Sequence, residues 1–301
     1  MVDLIVLGGG PAGLTAAVYA IRKRLDVLLI SPDLGGKTNW QMQLPDDLER
    51  FQAITGDDVV TRFKSESAYL EFARKLEHGE LVKPVEGGFE MTTREGNQYE
   101  ARAVIIATGA NPRRLNVPGE SQYRLRGLAY STTSYAPLFI DRTVAVVGEG
   151  EQGAWSALEL AQNSRQVYFI DPTSDVLHTA LGKKIEAAKN VTVFAGCAVK
   201  EVKGDEKYAR RITIARGVEE YELDVDVTFV ELDLLPNSDC VADLVQLNDR
   251  KQIVIDSNNH TSRSGILAAG DVTNVHAGQV LICVGEGAKA ALSAYKYLLT
   301  L

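Results

Sequence analysis

Cysteine is scarce in this chain: three in 301 residues, Cys197, Cys240 and Cys283, far apart and never in Cys-x-x-Cys spacing. An odd, dispersed set excludes a disulfide framework and a zinc site of paired thiolates, leaving small core residues as the expected role. Histidine is nearly as sparse, with four, and His178 and His276 have no neighbours at metal-ligand spacing, so no metal is expected. No run approaches 18 unbroken apolar residues, and "MVDLIVLGGG" has neither a cationic lead nor a cleavage site. A cytoplasmic protein without a membrane partner is therefore expected. The net charge of −8 argues against general attraction to nucleic acid. No Gly-x-Ser-x-Gly nucleophile elbow is present.

What the chain has is glycine in a repeated setting. "DLIVLGGGPAGLTAAVYAIRKRLDVLLIS" runs from a strand into Gly8-x-Gly10-x-x-Gly13, then an Ala-rich helix opened by Pro11 and Ala12, then a second strand ending near Ile30. Such glycines permit a tight turn and close approach of backbone N–H groups to a pyrophosphate, which the helix N-terminus favours. Pro11 is tolerated there because its missing N–H would have no helical partner. "TVAVVGEGEQGAWSALELAQNSRQVYFID" repeats the order with Gly148, Gly150 and Gly153. The pair predicts an α/β fold of two nested Rossmann-like dinucleotide-binding domains. Ser31 stands after the first unit and Asp171 after the second. A carboxylate at this point bonds an adenosine ribose and repels a 2′-phosphate, so NADH is preferred over NADPH if the second loop takes a nicotinamide nucleotide. The stretch 61–78 reads as a charged helix, 80–109 as β-rich, and "VTVFAGCAV" and "RRITIARG" as antiparallel strands.

Four ordered segments, "GGGPAGLTAAVYA", "VIIATGANPRRLNVPGE", "GILAAGDV" and "GQVLICVGEGAKAALSAYKYL", resemble the low-molecular-weight thioredoxin reductase family over nearly the whole chain. The last is also similar to the flavoprotein subunit of alkyl hydroperoxide reductase. The resemblance implies a three-layer ββα architecture in each domain, a discontinuous FAD domain of 1–114 plus 246–301, an inserted domain of 115–245, and a homodimer. It implies that the first glycine loop holds the FAD pyrophosphate, that Gly35, Gly36 and Lys37 pass beside the flavin, and that Thr108 and Gly109 border it. Gly270 and Asp271 would meet the ribityl chain, and Gln279 and Val280 would open the last helix at the flavin's pyrimidine edge, where a helix N-terminus favours negative charge.

The departures are as specific. The family's Tyr-Cys-Ala-Thr-Cys-Asp centre aligns with Tyr130, Ser131, Thr132, Thr133, Ser134 and Tyr135. Serine forms no disulfide, so thiol exchange through this segment is excluded. The acid is lost with the thiols, to Tyr135, so the change reaches beyond the two sulfurs. Tyr130 and Tyr135 are candidates to approach the flavin. The family's His-Arg-Arg cluster is replaced by Asp171, Pro172 and Thr173, which supply no guanidinium for a 2′-phosphate. Glu149 enters the second glycine loop, where a carboxylate ~5 Å from a phosphate costs roughly 3 kcal/mol, and Asp233 replaces a family glycine.

The expectation is an FAD-dependent oxidoreductase passing electrons directly through the flavin. Its donor would be NADH or a ferredoxin- or flavodoxin-type carrier. Thioredoxin-reductase-like ferredoxin/flavodoxin–NADP reductases also lack the cysteine pair, although they usually continue past the last helix. The cations of "IRKR", namely Arg22, Lys23 and Arg24, together with Arg113, Arg114, Arg124 and Arg126, are candidates to dock an acidic or thioredoxin-like carrier. A non-turnover flavin sensor or assembly protein, and a second FAD in the inserted domain, stay open.

Overall fold

The computed structural model describes residues 1–40, 42–43 and 73–301. The helix expected over 61–78 lies mostly outside these residues; at its described end Arg74–Lys75 is a short strand, β3. The described chain divides into two compact units, one of 1–40, 73–111 and 235–301, the other of 112–234 with Met42 and Gln43. The crossings, β7 (Ala110–Pro112) and β16 (Leu234–Pro236), pair as a two-stranded sheet. The second crossing therefore comes earlier than the 245/246 expected from the sequence. Cys240, Val241 and Val245 pack with Ile5, Ile30 and Met91 in the first unit's core.

In the first unit, β1 (Val2–Leu7) is an apolar run flanked by β2 (Val27–Ile30) and β6 (Gln98–Ile106), both parallel to it. Near-continuous hydrophobicity suits a strand covered on both faces. β6 serves two neighbourhoods: its first half pairs antiparallel with β5 (Gly88–Thr93), itself paired with β4 (Gly79–Val85), and its second half pairs with β17 (Ile266–Ala268). Helices Pro11–Arg22 and Val280–Leu298 cover one sheet face, where Leu14, Ala17, Ala291 and Ala294 meet Leu4, Val6 and Ile105. The last helix buries Cys283, Gly287, Ala290, Ala291, Ala294 and Leu298, a stripe at helical spacing. A β-carbon on Gly287 would lie 2.1 Å from the Ala12 carbonyl, so the two helices pack at backbone contact. Val82, Phe89 and Met91 cover the other face against Leu7, Val104 and Ile106.

The second unit repeats the plan. Its parallel sheet runs β11-β10-β9-β15-β8, with β8 (Leu128–Ala129), β9 (Thr143–Gly148), β10 (Gln166–Asp171), β11 (Val191–Ala195) and β15 (Val227–Glu231). Helices Gly150–Ala161 and Ala180–Ala187 cover one face, with Phe139 edge-on to Phe229 at 5.7 Å beneath them. An antiparallel sheet, β12 (Ala198–Gly204), β13 (Ala209–Arg216) and β14 (Glu219–Asp224), covers the other. Both units are thus Rossmann-like, with three layers. One expectation is corrected: "VTVFAGCAV" is not a single antiparallel strand. Val191–Ala195 pairs parallel with β10, Gly196 turns the chain at φ +65°, and only from Ala198 does the antiparallel ladder begin.

Candidate functional site

The first glycine loop joins the C-terminal end of β1 to helix Pro11–Arg22, a place where open α/β sheets bind ligands. Gly8 sits at φ +111°, and a β-carbon there would stand 2.2 Å from the Ala107 carbonyl. One on Gly13 would stand 1.8 Å from Gly8 O. Gly10, by contrast, faces open space, with nothing within 4 Å of its β-carbon position. The loop is therefore locked from below and bare above, so a phosphate can reach its N–H groups. Ser31 is buried and donates to Asp33 O at 2.7 Å, Asp33 accepts from Gly36 N, and Gly35 N donates to Gly9 O at 2.7 Å. These bonds bring Gly35, Gly36 and Lys37 beside Gly10, and Gly36 has φ +56°.

Lys37 Nζ lies 2.6 Å from Asp271 Oδ2, and Asp271 Oδ1 accepts from Cys283 Sγ at 3.3 Å. Asp271 follows Gly270 (φ +78°) at the end of β17. Gln279 is the N-cap of the last helix and Val280 its first residue. Burial and the Asp271 charge raise the pKa of the Cys283 thiol, which keeps it protonated. Thr108 and Gly109 are held by Asn237, a residue absent from the candidates that the sequence suggests. Asn237 accepts from Thr108 Oγ1 at 2.6 Å through its carbonyl, donates to Thr108 O through its amide, and donates its N–H to Gly109 O. The Pro-Asn pair at the end of β16 is the signal that could have found it.

The second loop is built differently. Gly148 and Gly153 pack against each other, and a β-carbon on Gly148 would stand 2.5 Å from Gly153 Cα. Gly150 sits at φ +59° with open space above it. Glu149, between them, is the N-cap of the following helix but makes no capping bond; its carboxylate pairs with Arg113 Nη2 at 2.5 Å. That hydrogen bond raises the Arg113 pKa above its ordinary value. Arg113 also donates its N–H to Asp233 O. Asp171 is fully buried: Oδ1 accepts from Thr173 N and Oγ1, and Oδ2 has no hydrogen-bond partner.

Ser131 and Ser134 face each other on a short helical turn, Thr132–Tyr135, with Ser131 Oγ donating to Ser134 Oγ at 2.9 Å. Thr132 N donates to the buried Glu231 carboxylate at the end of β15. Glu159 titrates high through its own burial and the nearby Glu231 charge. Tyr130 donates to Glu120 Oε1 at 2.7 Å, and Glu120, itself buried, also accepts from Leu115 N and Asn116 N. Tyr135 packs against the core beneath helix Gly150–Ala161. Among the candidate docking cations, Arg113 is paired with Glu149, Arg126 donates to Gln122 O, and Arg22 and Lys23 lie over the rings of Tyr19 and Tyr295.

Residues 2–291 match the model of the family described as pyridine nucleotide-disulphide oxidoreductase. The chain belongs to that family. Within it, the thioredoxin reductase-like character is plain. The chain is 28% identical to the thioredoxin reductase of Streptococcus pyogenes, with TM-score 0.88 over 100% of this chain and 99% of that one. It is 31% identical to the thioredoxin reductase of T. acidophilum, with TM-score 0.65 over 98% of both. It is also 36% identical to the F subunit of the alkyl hydroperoxide reductase of Pseudomonas putida, over 99% of this chain and 58% of that protein. The chain thus spans 58% of the length of that relative. The family is one of FAD-dependent enzymes that also use a pyridine nucleotide, and the bare first loop fits the first of these groups.

Proposed function

We propose that this protein is an FAD-dependent oxidoreductase that passes electrons directly between donor and acceptor through the flavin, without a dithiol at 131 and 134. The observation that carries this reading is the pairing of Ser131 and Ser134 at 2.9 Å, where the thioredoxin reductase motif has two cysteines. A hydroxyl pair held in that geometry keeps the turn but has no redox chemistry.

Gly8, Gly10, Pro11, Ala12 and Gly13 would hold the FAD pyrophosphate, with Ser31 behind the loop and Gly35 to Lys37 beside the flavin. Thr108 and Gly109, fixed by Asn237, would border the flavin, while Asp271 would take a ribityl hydroxyl. The opening of the last helix at Gln279 and Val280 favours negative charge near it. When bound, FAD supplies the one- and two-electron chemistry. The chain's own residues position the group, keep Cys283 as a neutral thiol, and present the turn at 130–135 without nucleophiles.

The donor in this reading is NADH, not NADPH: Asp171 ends β10 at the position where a carboxylate receives an adenosine ribose, and Pro172 and Thr173 supply no cation for a 2′-phosphate. A small one-electron carrier is the second reading, favoured by the Glu149–Arg113 pair across the second loop. We read the protein as a cytoplasmic homodimer, as its thioredoxin reductase-like relatives are typically dimers; among the described residues no helix is long and apolar enough to cross a membrane. Steady-state assays test the reading. Given a competent donor, the chain is expected to reduce ferricyanide or a quinone but not a disulfide substrate such as DTNB. Rapid DTNB turnover overturns it.

A further inference from the structure

The C-terminal end of the second unit's parallel sheet, where a dinucleotide would lie, carries its own anion. Rossmann-like loops place a pyrophosphate at the N-terminus of the helix that follows, because the first N–H groups there are unbonded and the helix dipole is positive. Here that helix is twelve residues long and its N-cap is Glu149. The Glu149 carboxylate leaves the N–H groups alone and instead pairs with Arg113 at 2.5 Å. The surroundings are acidic. Glu231 stands in register beside Gly148 and accepts from Thr132 N, the Asp233 charge acts on the Arg113 guanidinium while its backbone carbonyl accepts from Arg113 N, and Asp171 ends the strand neighbouring β9. Arg113 is thus a guanidinium next to a pyrophosphate position, engaged by a carboxylate of the same loop.

We propose that Glu149 and Arg113 form an exchangeable latch that sets nucleotide affinity at the second glycine loop. A dinucleotide diphosphate enters by taking Arg113 from Glu149. The inference rests on the reading of this loop as the nucleotide entrance. Arg113 can serve either anion, since its planar fork binds carboxylate and phosphate in the same way. Glu149 acts twice against the ligand, by engaging the guanidinium and by adding a negative charge at the site. The space above Gly150, at the first turn of the helix, is open to a phosphate once the carboxylate has turned away.

Binding of NADH to the FAD-loaded full chain, measured by equilibrium dialysis, tests the latch in wild type, Glu149→Gln, Glu149→Gly, Arg113→Gln and the double variant Glu149→Gln/Arg113→Gln. FAD content and far-ultraviolet circular dichroism check that each variant folds. Removing the carboxylate is expected to tighten NADH binding about tenfold, and most of that gain is expected to disappear in the Arg113→Gln background, where only the relief of charge repulsion is left. A gain of undiminished size without Arg113 overturns the exchange and leaves simple charge repulsion. Wild-type binding that both Glu149 variants leave unchanged overturns the latch but keeps the entrance reading. Absence of NADH binding in every variant overturns both.

Discussion

Ser131 donates its hydroxyl to Ser134 across 2.9 Å, three residues apart on one turn. Two sulfurs at these positions are close enough to bond, because the turn already brings the side chains to face each other. The double variant Ser131→Cys/Ser134→Cys is expected to form a disulfide under mild oxidation. Cys197, Cys240 and Cys283 are buried, so DTNB titration of the folded protein reads the new thiols alone. Two reactive thiols are expected after reduction and none after oxidation, whereas each single variant keeps one in both states.

Gly10 and Gly13 separate packing from cofactor access. A β-carbon on Gly13 would stand 1.8 Å from Gly8 O, so Gly13→Ala is expected to prevent folding of the first unit. Gly10 has φ −72° and no atom within 4 Å of its β-carbon position, so Gly10→Ala is expected to fold normally yet lose most of its FAD. The ratio of flavin to protein absorbance, beside an unchanged circular dichroism spectrum, checks it.

Glu120 is a buried clamp that accepts from Tyr130, Leu115 N and Asn116 N. Tyr130→Phe removes one of these bonds and is expected to cost about 1 kcal/mol, while Glu120→Ala strands three donors and costs about 3 kcal/mol. Midpoints of urea unfolding followed by circular dichroism measure both.

The same pair gives stability a pH dependence at the alkaline end. Burial, then the hydrogen bond to Glu120, raises the Tyr130 pKa above the ordinary tyrosine value of 10.0. The folded state holds this proton more tightly than the unfolded chain, so its contribution is complete below pH 10 and is lost as pH rises above it. Urea midpoints are expected to fall more steeply above pH 10 for the wild type than for Tyr130→Phe.

The features legible in the sequence are those set by local spacing. Gly8 to Gly13 and Gly148 to Gly153 have to join strand to helix, and the Ala-rich stripe ending at Leu298 has to bury one face. The serines at 131 and 134, three residues apart, are equally plain. Partners remote in the chain are not legible: Asn237 reaches Thr108 across 129 residues, and nothing near Arg113 announces Glu149. Local spacing presents Glu149 as a charge opposing a phosphate, and the structure adds that it already holds a guanidinium. Tyr130, a candidate to approach the flavin by its position in the motif, has its hydroxyl bound to Glu120. The domain boundary falls before 245 because Cys240, Val241 and Val245 form an apolar segment whose core is chosen by tertiary packing, not by local pattern.

Direct electron transfer through the flavin is tested most directly by anaerobic rapid mixing of the FAD-loaded chain with NADH, NADPH or a reduced ferredoxin, following the flavin absorbance band. Bleaching by NADH or ferredoxin is expected to be far faster than for free FAD, with little response to NADPH and unchanged rates after thiol alkylation. Bleaching no faster than the free-flavin control with every donor, or a rate abolished by alkylation, would contradict direct transfer.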